Sequence, residues 1–233
     1  MAKLTIEIES DPKLLREYAR KSWKNNFSVH QSLEEENNRF IFDNILTPEE
    51  AGLLRDFTDK NTIDGEGYAG NNHPYSTNEL FSCYTITHRY QEPSPGYDLA
   101  LKTQYRLLRI IMNYFENHEI ELYFCQLVKR ISITDSSSFE KQLWSHPFHE
   151  DVNPVDDVVR THTAVLYFNE DCDGGNFIFQ KNKYAPQRVV EPCEGRLVGF
   201  SAPGTIHGIS HIYSGTRYAF TFWFTIRGMT INK

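Results

Sequence analysis

A chain of 233 residues with 24 Lys and Arg against 31 Asp and Glu, net −7, lacks the clustered basic charge that binding a nucleic-acid backbone demands. At 39% apolar and 24% charged residues it is globular in composition rather than disordered or fibrous, and long enough to bury a core without metal or disulfide staples. No run approaches the length of an apolar membrane-spanning helix, and the start from Met1 to Glu9 lacks the apolar stretch of a secretory signal, so no membrane association and a cytoplasmic protein are expected.

In chain order, Thr47-Pro48-Glu49-Glu50 has a capping residue, a first-turn proline and early acids, and predicts a helix ending near Asn61. The polar, glycine-rich stretch from Asp64 to about Ser76 has no periodicity and reads as a connector or a lid. From Tyr97 to His118 the recurrence of Leu101, Tyr105, Leu108, Met112 and Phe115 predicts an amphipathic helix, with Lys102, Gln104, Arg106 and Asn113 toward water.

After Glu119 the period changes to two. Short alternating runs cover Leu122–Thr134, His162–Asn169, Phe177–Phe179, Arg188–Val190, Leu197–Phe200, Ile206–Tyr213 and Tyr218–Ile226. Turns at Gly174-Gly175, Glu194-Gly195, Pro203-Gly204 and Ser214-Gly215 separate most of them. That pattern predicts an antiparallel sandwich or barrel. The chain is therefore expected to be one domain, mainly β with helical support: 1–119 largely helices and loops, 120–228 the β core. Cys83, Cys125, Cys172 and Cys193 are widely spaced, match no zinc pattern and read as scattered reduced thiols.

The chemistry gathers around His149-Glu150-Asp151. On an extended backbone residues two apart point the same way, so an imidazole and a carboxylate can meet at one ion while Glu150 faces away. Alone, the spacing is common and equally describes a polar turn ahead of Asn153-Pro154. His207, in Gly204-Thr205-Ile206-His207-Gly208, is the second candidate, flanked by small residues at the head of an apolar strand; the alternative is a satisfied core histidine. Two imidazoles and one carboxylate leave open positions on a metal, the set used by non-heme Fe(II) oxygenases.

Ten residues beyond His207 stands Arg217, expected on the strand next to the one carrying His207, where its fork could grip a carboxylate in bidentate fashion. Arg217, Ala219, Thr221 and Trp223 share one strand face, with Trp223 as pocket floor or core filler. Thr163, Val165 and Tyr167 share another, and Tyr167 could offer its phenol hydrogen to the same anion. His211 reads as a surface residue, and Asp171-Cys172-Asp173-Gly174-Gly175 as a turn lacking the ligand spacing of a calcium loop.

His149-Glu150-Asp151, Tyr167-Phe168-Asn169-Glu170-Asp171, Gly174-Gly175-Asn176-Phe177, Glu194-Gly195-Arg196-Leu197, His207-Gly208 and Gly215-Thr216-Arg217-Tyr218 form an ordered set. The set resembles the catalytic domain of the Fe(II)/2-oxoglutarate dioxygenases of the prolyl hydroxylase type, nearest to the prolyl 3-hydroxylases, or leprecans. The resemblance implies a double-stranded β-helix, the cupin-like jelly roll, with Fe(2+) held by His149, Asp151 and His207. It places the C5 carboxylate of 2-oxoglutarate on Arg217 and Tyr167, with Thr163 as a nearby hydroxyl, and brings in L-ascorbate (vitamin C) as an accessory.

The implied activity is 2-oxoglutarate- and O2-dependent hydroxylation of an unactivated C–H at a prolyl residue of a protein or peptide, giving succinate and CO2. Hydroxylation or oxidative cyclisation of a free amino acid or other small biosynthetic substrate is the alternative. The secreted collagen-modifying members carry a signal sequence, a large N-terminal region and a retention tail that are not read here, so collagen is not expected as substrate. The insert from Ser136 to Trp144 is expected to border the substrate mouth.

Overall fold

The computed structural model describes residues 38–61, 78–79, 94–131, 144–151, 159–180 and 187–229. The candidate lid at 64–76 and the insert at 136–143 lie outside them. In chain order the elements are β1 (Arg39–Phe42), α1 (Pro48–Asn61), β2 (Asn78–Glu79), α2 (Pro95–Tyr114), β3 (Ile120–Ile131), β4 (Trp144–His149), β5 (His162–Tyr167), β6 (Asp173–Gly174), β7 (Phe177–Gln180), β8 (Gln187–Val190), β9 (Leu197–Ser201), β10 (Ile206–Ser210), β11 (Ile212–Ser214) and β12 (Thr216–Ile226).

α1 opens on a reciprocal cap. The Glu50 amide donates to Thr47 Oγ1 and the Thr47 amide to Glu50 Oε2, the exchange that satisfies otherwise orphaned first-turn donors. The Glu50 carboxylate also takes both arms of Arg106 from α2, at 2.9 and 2.7 Å, so one residue starts α1 and ties it to its neighbour. α2 starts on Ser94, whose hydroxyl accepts from the Tyr97 amide.

α2 runs from Pro95 rather than Tyr97 and stops at Tyr114, because Glu116 adopts a left-handed φ of 51° and turns the chain out. Its buried stripe also differs from the expected one. Gly96, Leu99, Ala100, Thr103, Leu107 and Ile111 are buried, while Tyr105 is 70% exposed. Small residues explain the rotation: a Cβ on Gly96 would sit 2.4 Å from Phe57 Cβ, so glycine lets α1 approach there, and the larger Leu101, Leu108, Met112 and Phe115 pack at the flanks, partly buried. Arg106, expected in water, is drawn to Glu50.

The strands form a six-stranded antiparallel sheet, β1-β9-β5-β12-β3-β2, facing a four-stranded one, β4-β10-β7-β8, with β11 and β6 as a small ribbon. This is the mainly β, antiparallel architecture that the alternation predicted and the jelly roll that the resemblance implied, although the two edge strands of the larger sheet come from the first half of the chain. The run from Ile206 to Tyr213 is two strands, divided at His211, whose carbonyl accepts from the Gly175 amide at 2.9 Å.

Alternation on the large sheet separates structure from chemistry. Phe220, Phe222 and Phe224 of β12, with Ala164, Leu166 and Leu127, pack under the helices in one buried cluster. Val165, Tyr167 and Ala219 face the smaller sheet, meeting Phe177, Phe179, Phe200 and Ile209 in a second. β5 is buried along its whole length. The edge strand β1 is held by Phe40, which pairs with Gly199 of β9 and lays its ring where a side chain would be: a Cβ on Gly199 would come within 2.2 Å of Phe40 Cζ.

Gly199→Ala is therefore expected to destabilise the fold by about 1–3 kcal/mol through overpacking, seen as a lowered melting temperature. An unchanged melting temperature would show that Phe40 can move aside freely.

Candidate metal centre

His149 closes β4 and His207 is the second residue of β10, and the two strands set them directly opposite one another. Their rings lie 4.3 Å apart. Asp151, two residues past His149, brings Oδ1 to 3.6 Å from His149 Nε2 and Oδ2 to 3.6 Å from His207 Nε2. The potential donor atoms of the three all lie within 4.8 Å of one another.

The hydrogen bonds behind the trio decide what it presents. His149 Nδ1 lies 2.9 Å from the Pro147 carbonyl and His207 Nδ1 3.1 Å from the Thr205 carbonyl. A carbonyl only accepts, so each Nδ1 carries a hydrogen, and Nε2 is the nitrogen that each ring turns toward Asp151. Burial pushes His207 down to about 4, which keeps its imidazole neutral at neutral pH. Burial works to raise the Asp151 carboxyl, and the hydrogen bond that the Thr163 hydroxyl donates works to lower it.

Two imidazole Nε2 atoms, each ring holding its Nδ1 hydrogen on the backbone, and a carboxylate thus converge on one point. Such an arrangement is unfavourable by itself and is relieved by a cation at the common point. Two nitrogens and a carboxylate oxygen suit a first-row transition ion, so the residues fit Fe(II).

Supporting groups fix the trio. Thr163 of β5 donates to Asp151 Oδ2 at 2.7 Å, so this hydroxyl, expected near the cosubstrate, is engaged by the carboxylate. Phe177 stacks on His207 at 5.1 Å with ring planes 8° apart, and Phe200 packs at 4.9 Å. Glu150 turns outward as expected, accepting from the Gly204 amide.

From the trio a cavity of about 390 Å³ runs between the sheets, past Thr163, Val165 and Thr221 to Arg217. Arg217 does not lie on a strand beside His207. β12 belongs to the larger sheet, β10 to the smaller, because β11 diverts the chain to pair with β6 before it returns, so Arg217 faces the histidine across the barrel. Its Nε donates to the Gly175 carbonyl at 3.0 Å and its Nη2 to Tyr167 Oη at 3.1 Å, with the guanidinium 4.9 Å from the Tyr167 ring centre. Glycine is required at 175, where φ is +66° and a Cβ would stand 2.8 Å from Arg217 Cδ.

Arg217 is 3% exposed, and among the described residues no carboxylate pairs with it. A buried guanidinium without a counter-charge is costly, and an anion entering the cavity supplies one. Burial raises the Tyr167 pKa against the lowering effect of Arg217, so the phenol keeps its hydrogen. Its oxygen accepts from Arg217, leaving that hydrogen to donate.

Trp223 pairs with Thr163, so it stands at the metal end of the cavity rather than forming a floor beneath the anion site. Arg160 lies 5.3 Å over its ring. His211 is partly exposed and away from the trio. Sequence reasoning missed Arg130 and Arg160, which also line the cavity; for Arg130 the signal was a charged residue in phase with the apolar inward face of β3.

Residues 144–225 match the family model of the 2OG-Fe(II) oxygenase superfamily. The chain is 30% identical over 224 residues to prolyl 3-hydroxylase 1 of Rattus norvegicus, an alignment covering 86% of this chain and 30% of the rat protein; it thus spans under a third of that relative's length. Among solved structures, a Pseudomonas putida prolyl-4-hydroxylase superposes with a TM-score of 0.59 at 18% identity, covering 86% of this chain and 99% of the other. A Trichoplax adhaerens prolyl hydroxylase in complex with a hypoxia inducible factor oxygen degradation domain peptide fragment gives 0.58 at 17% identity, over 93% and 94% of the two chains. Family match, relatives and fold agree with the donor atoms converging at the head of the cavity: residues 144–225 are a domain of the 2OG-Fe(II) oxygenase superfamily.

Proposed function

We propose that this chain hydroxylates an unactivated C–H of a prolyl residue in a protein or peptide, with His149, Asp151 and His207 as metal ligands and Arg217 and Tyr167 as the anchor for 2-oxoglutarate. The convergence of two Nε2 atoms on the Asp151 carboxylate, with a buried cation at the other end of one cavity, carries this reading. Bound there, Fe(II) with 2-oxoglutarate and O2 supplies the oxidising chemistry, and the co-products are succinate and CO2.

The protein's part is positional. Backbone carbonyls hold both imidazoles, Thr163 fixes one carboxylate oxygen, and Phe177 and Phe200 keep water from one side of His207. Arg217 offers charge and Tyr167 a hydrogen to the far carboxylate of the cosubstrate, which sets the angle of the diacid in the cavity. The metal end is the side open to solvent, since His149 is 33% exposed in its side chain and Glu150 beside it is exposed. A substrate therefore enters beside Trp223 and Arg160.

The prolyl assignment draws on the relatives, which are named as prolyl hydroxylases, and on the neighbour solved with a peptide. Use of L-ascorbate, which the resemblance implies, and a cytoplasmic setting are parts of the same proposal; among the described residues no helix is long and apolar enough to cross a membrane.

Proline-containing peptides screened against free amino acids are expected to give substrate-dependent succinate release with the peptides. Release with free amino acids alone would overturn the prolyl assignment. Asp151→Ala is expected to abolish that release and to lose Mn(II) binding; retained turnover removes Asp151 from the ligand set. Thr163→Val is expected to weaken Mn(II) binding by roughly tenfold and Thr163→Ser to restore most of it, whereas equal affinity in the Val variant denies the hydroxyl a positioning role. Arg217→Ala is expected to raise the KM for 2-oxoglutarate by about tenfold or more, the scale of a lost charge-assisted contact, and an unchanged KM rejects the anchor.

A further inference from the structure

β3 and β12 pair along nearly their whole length, and their register places Arg130 directly opposite Arg217. Opposed residues of an antiparallel pair point to the same face, with Cβ atoms about 4.5–5.5 Å apart. Here that face is the interior: both arginines line the cavity, and they are only 8% and 3% exposed. Like charges set opposite one another disfavour the pairing, and withdrawing each guanidinium from water adds to that penalty. The sheet nevertheless holds them side by side.

Hydrogen bonds orient the pair from two directions. Arg130 Nη1 donates to the Ser145 carbonyl at 3.2 Å and to its hydroxyl at 3.4 Å. Ser145 belongs to β4, so Arg130 reaches from the larger sheet to the smaller and walls the cavity on that side. Arg217 is held from the other side by Tyr167 and Gly175. One row nearer the metal, the paired residues are Ala219 and Val128, short and apolar, over which an aliphatic chain can lie. The two cations therefore stand at the same depth, at the end of a path that starts at the metal trio.

We propose that Arg130 and Arg217 form one two-pronged cradle for a carboxylate, and that this carboxylate is the distal group of the 2-oxo diacid; the inference rests on the cosubstrate assignment made above. Arg130 is thus a binding residue for the cosubstrate rather than for the substrate. A carboxylate seated between the two guanidinium groups takes charge-assisted donors from both.

The test separates binding from turnover. Mn(II)-loaded wild type, Arg130→Met, Arg130→Lys and Arg217→Met are titrated by calorimetry with 2-oxoglutarate and with pyruvate, which has the keto-acid end but no distal carboxylate. Arg130→Met is expected to weaken 2-oxoglutarate binding by about tenfold or more, as for a lost charge-assisted hydrogen bond, and to leave pyruvate binding unchanged, with Arg130→Lys intermediate. The pyruvate titration also reports whether the variant is folded; should Arg130→Met fail to fold, Arg130→Gln serves in the same comparison. Full 2-oxoglutarate affinity in the Arg130 variants, or equal loss for both acids, overturns the cradle. If Arg217→Met alone loses 2-oxoglutarate, the cradle fails and the cosubstrate assignment stands; if wild type binds no 2-oxoglutarate, both fail.

Discussion

Three donor groups aimed at one point are the constraint around which the rest of this barrel is arranged. Left to themselves, a carboxylate and two imidazole Nε2 atoms at 3.6 Å would spread apart or the rings would turn. Strand register prevents the first, because His149 and His207 are opposed residues of one ladder. Backbone carbonyls oppose the second, since the hydrogen each holds at Nδ1 keeps Nε2 toward Asp151. A metal ion is the inexpensive resolution of this geometry, and the packing of Phe177 and Phe200 against His207 keeps it from relaxing.

Strand alternation then divides labour across a single layer. On β12 the even positions Phe220, Phe222 and Phe224 join the helix-covered core, while Arg217, Thr221 and Trp223 face the cavity. Stability is supplied from one side of the sheet and chemistry from the other. Among the described residues, α1 and α2 therefore bear on the site through the backbone that they brace.

Much of this was legible in the chain. The change to period two after Glu119 gave the β architecture, His-x-Asp on an extended segment gave two of the convergent groups, and the inward phase of β12 gave Arg217. What failed to read through depended on contacts remote in sequence. The buried face of α2 was displaced by small residues, Gly96 and Ala100, which carry little hydrophobic signal but permit the closest approach. The neighbour of β12 could not be read because the crossing at β11 depends on pairing with the two-residue strand β6. Thr163 was placed on the correct face, but its bond to Asp151 required knowing how the chain beyond β4 returns to β5.

The contact between Thr163 and Asp151 and that between Arg130 and Ser145 share a property beyond their local roles. Each joins a residue of the larger sheet to β4 or the segment that follows it, one beside the metal trio and the other beside the anion site. Polar struts at either end of an interior otherwise lined by aromatic and aliphatic groups set the spacing between walls by hydrogen-bond length rather than by the softer fit of side-chain volumes. The barrel thus has the form of a gauge, with the trio and the guanidinium set at the two ends of one cavity and a polar contact between the walls beside each.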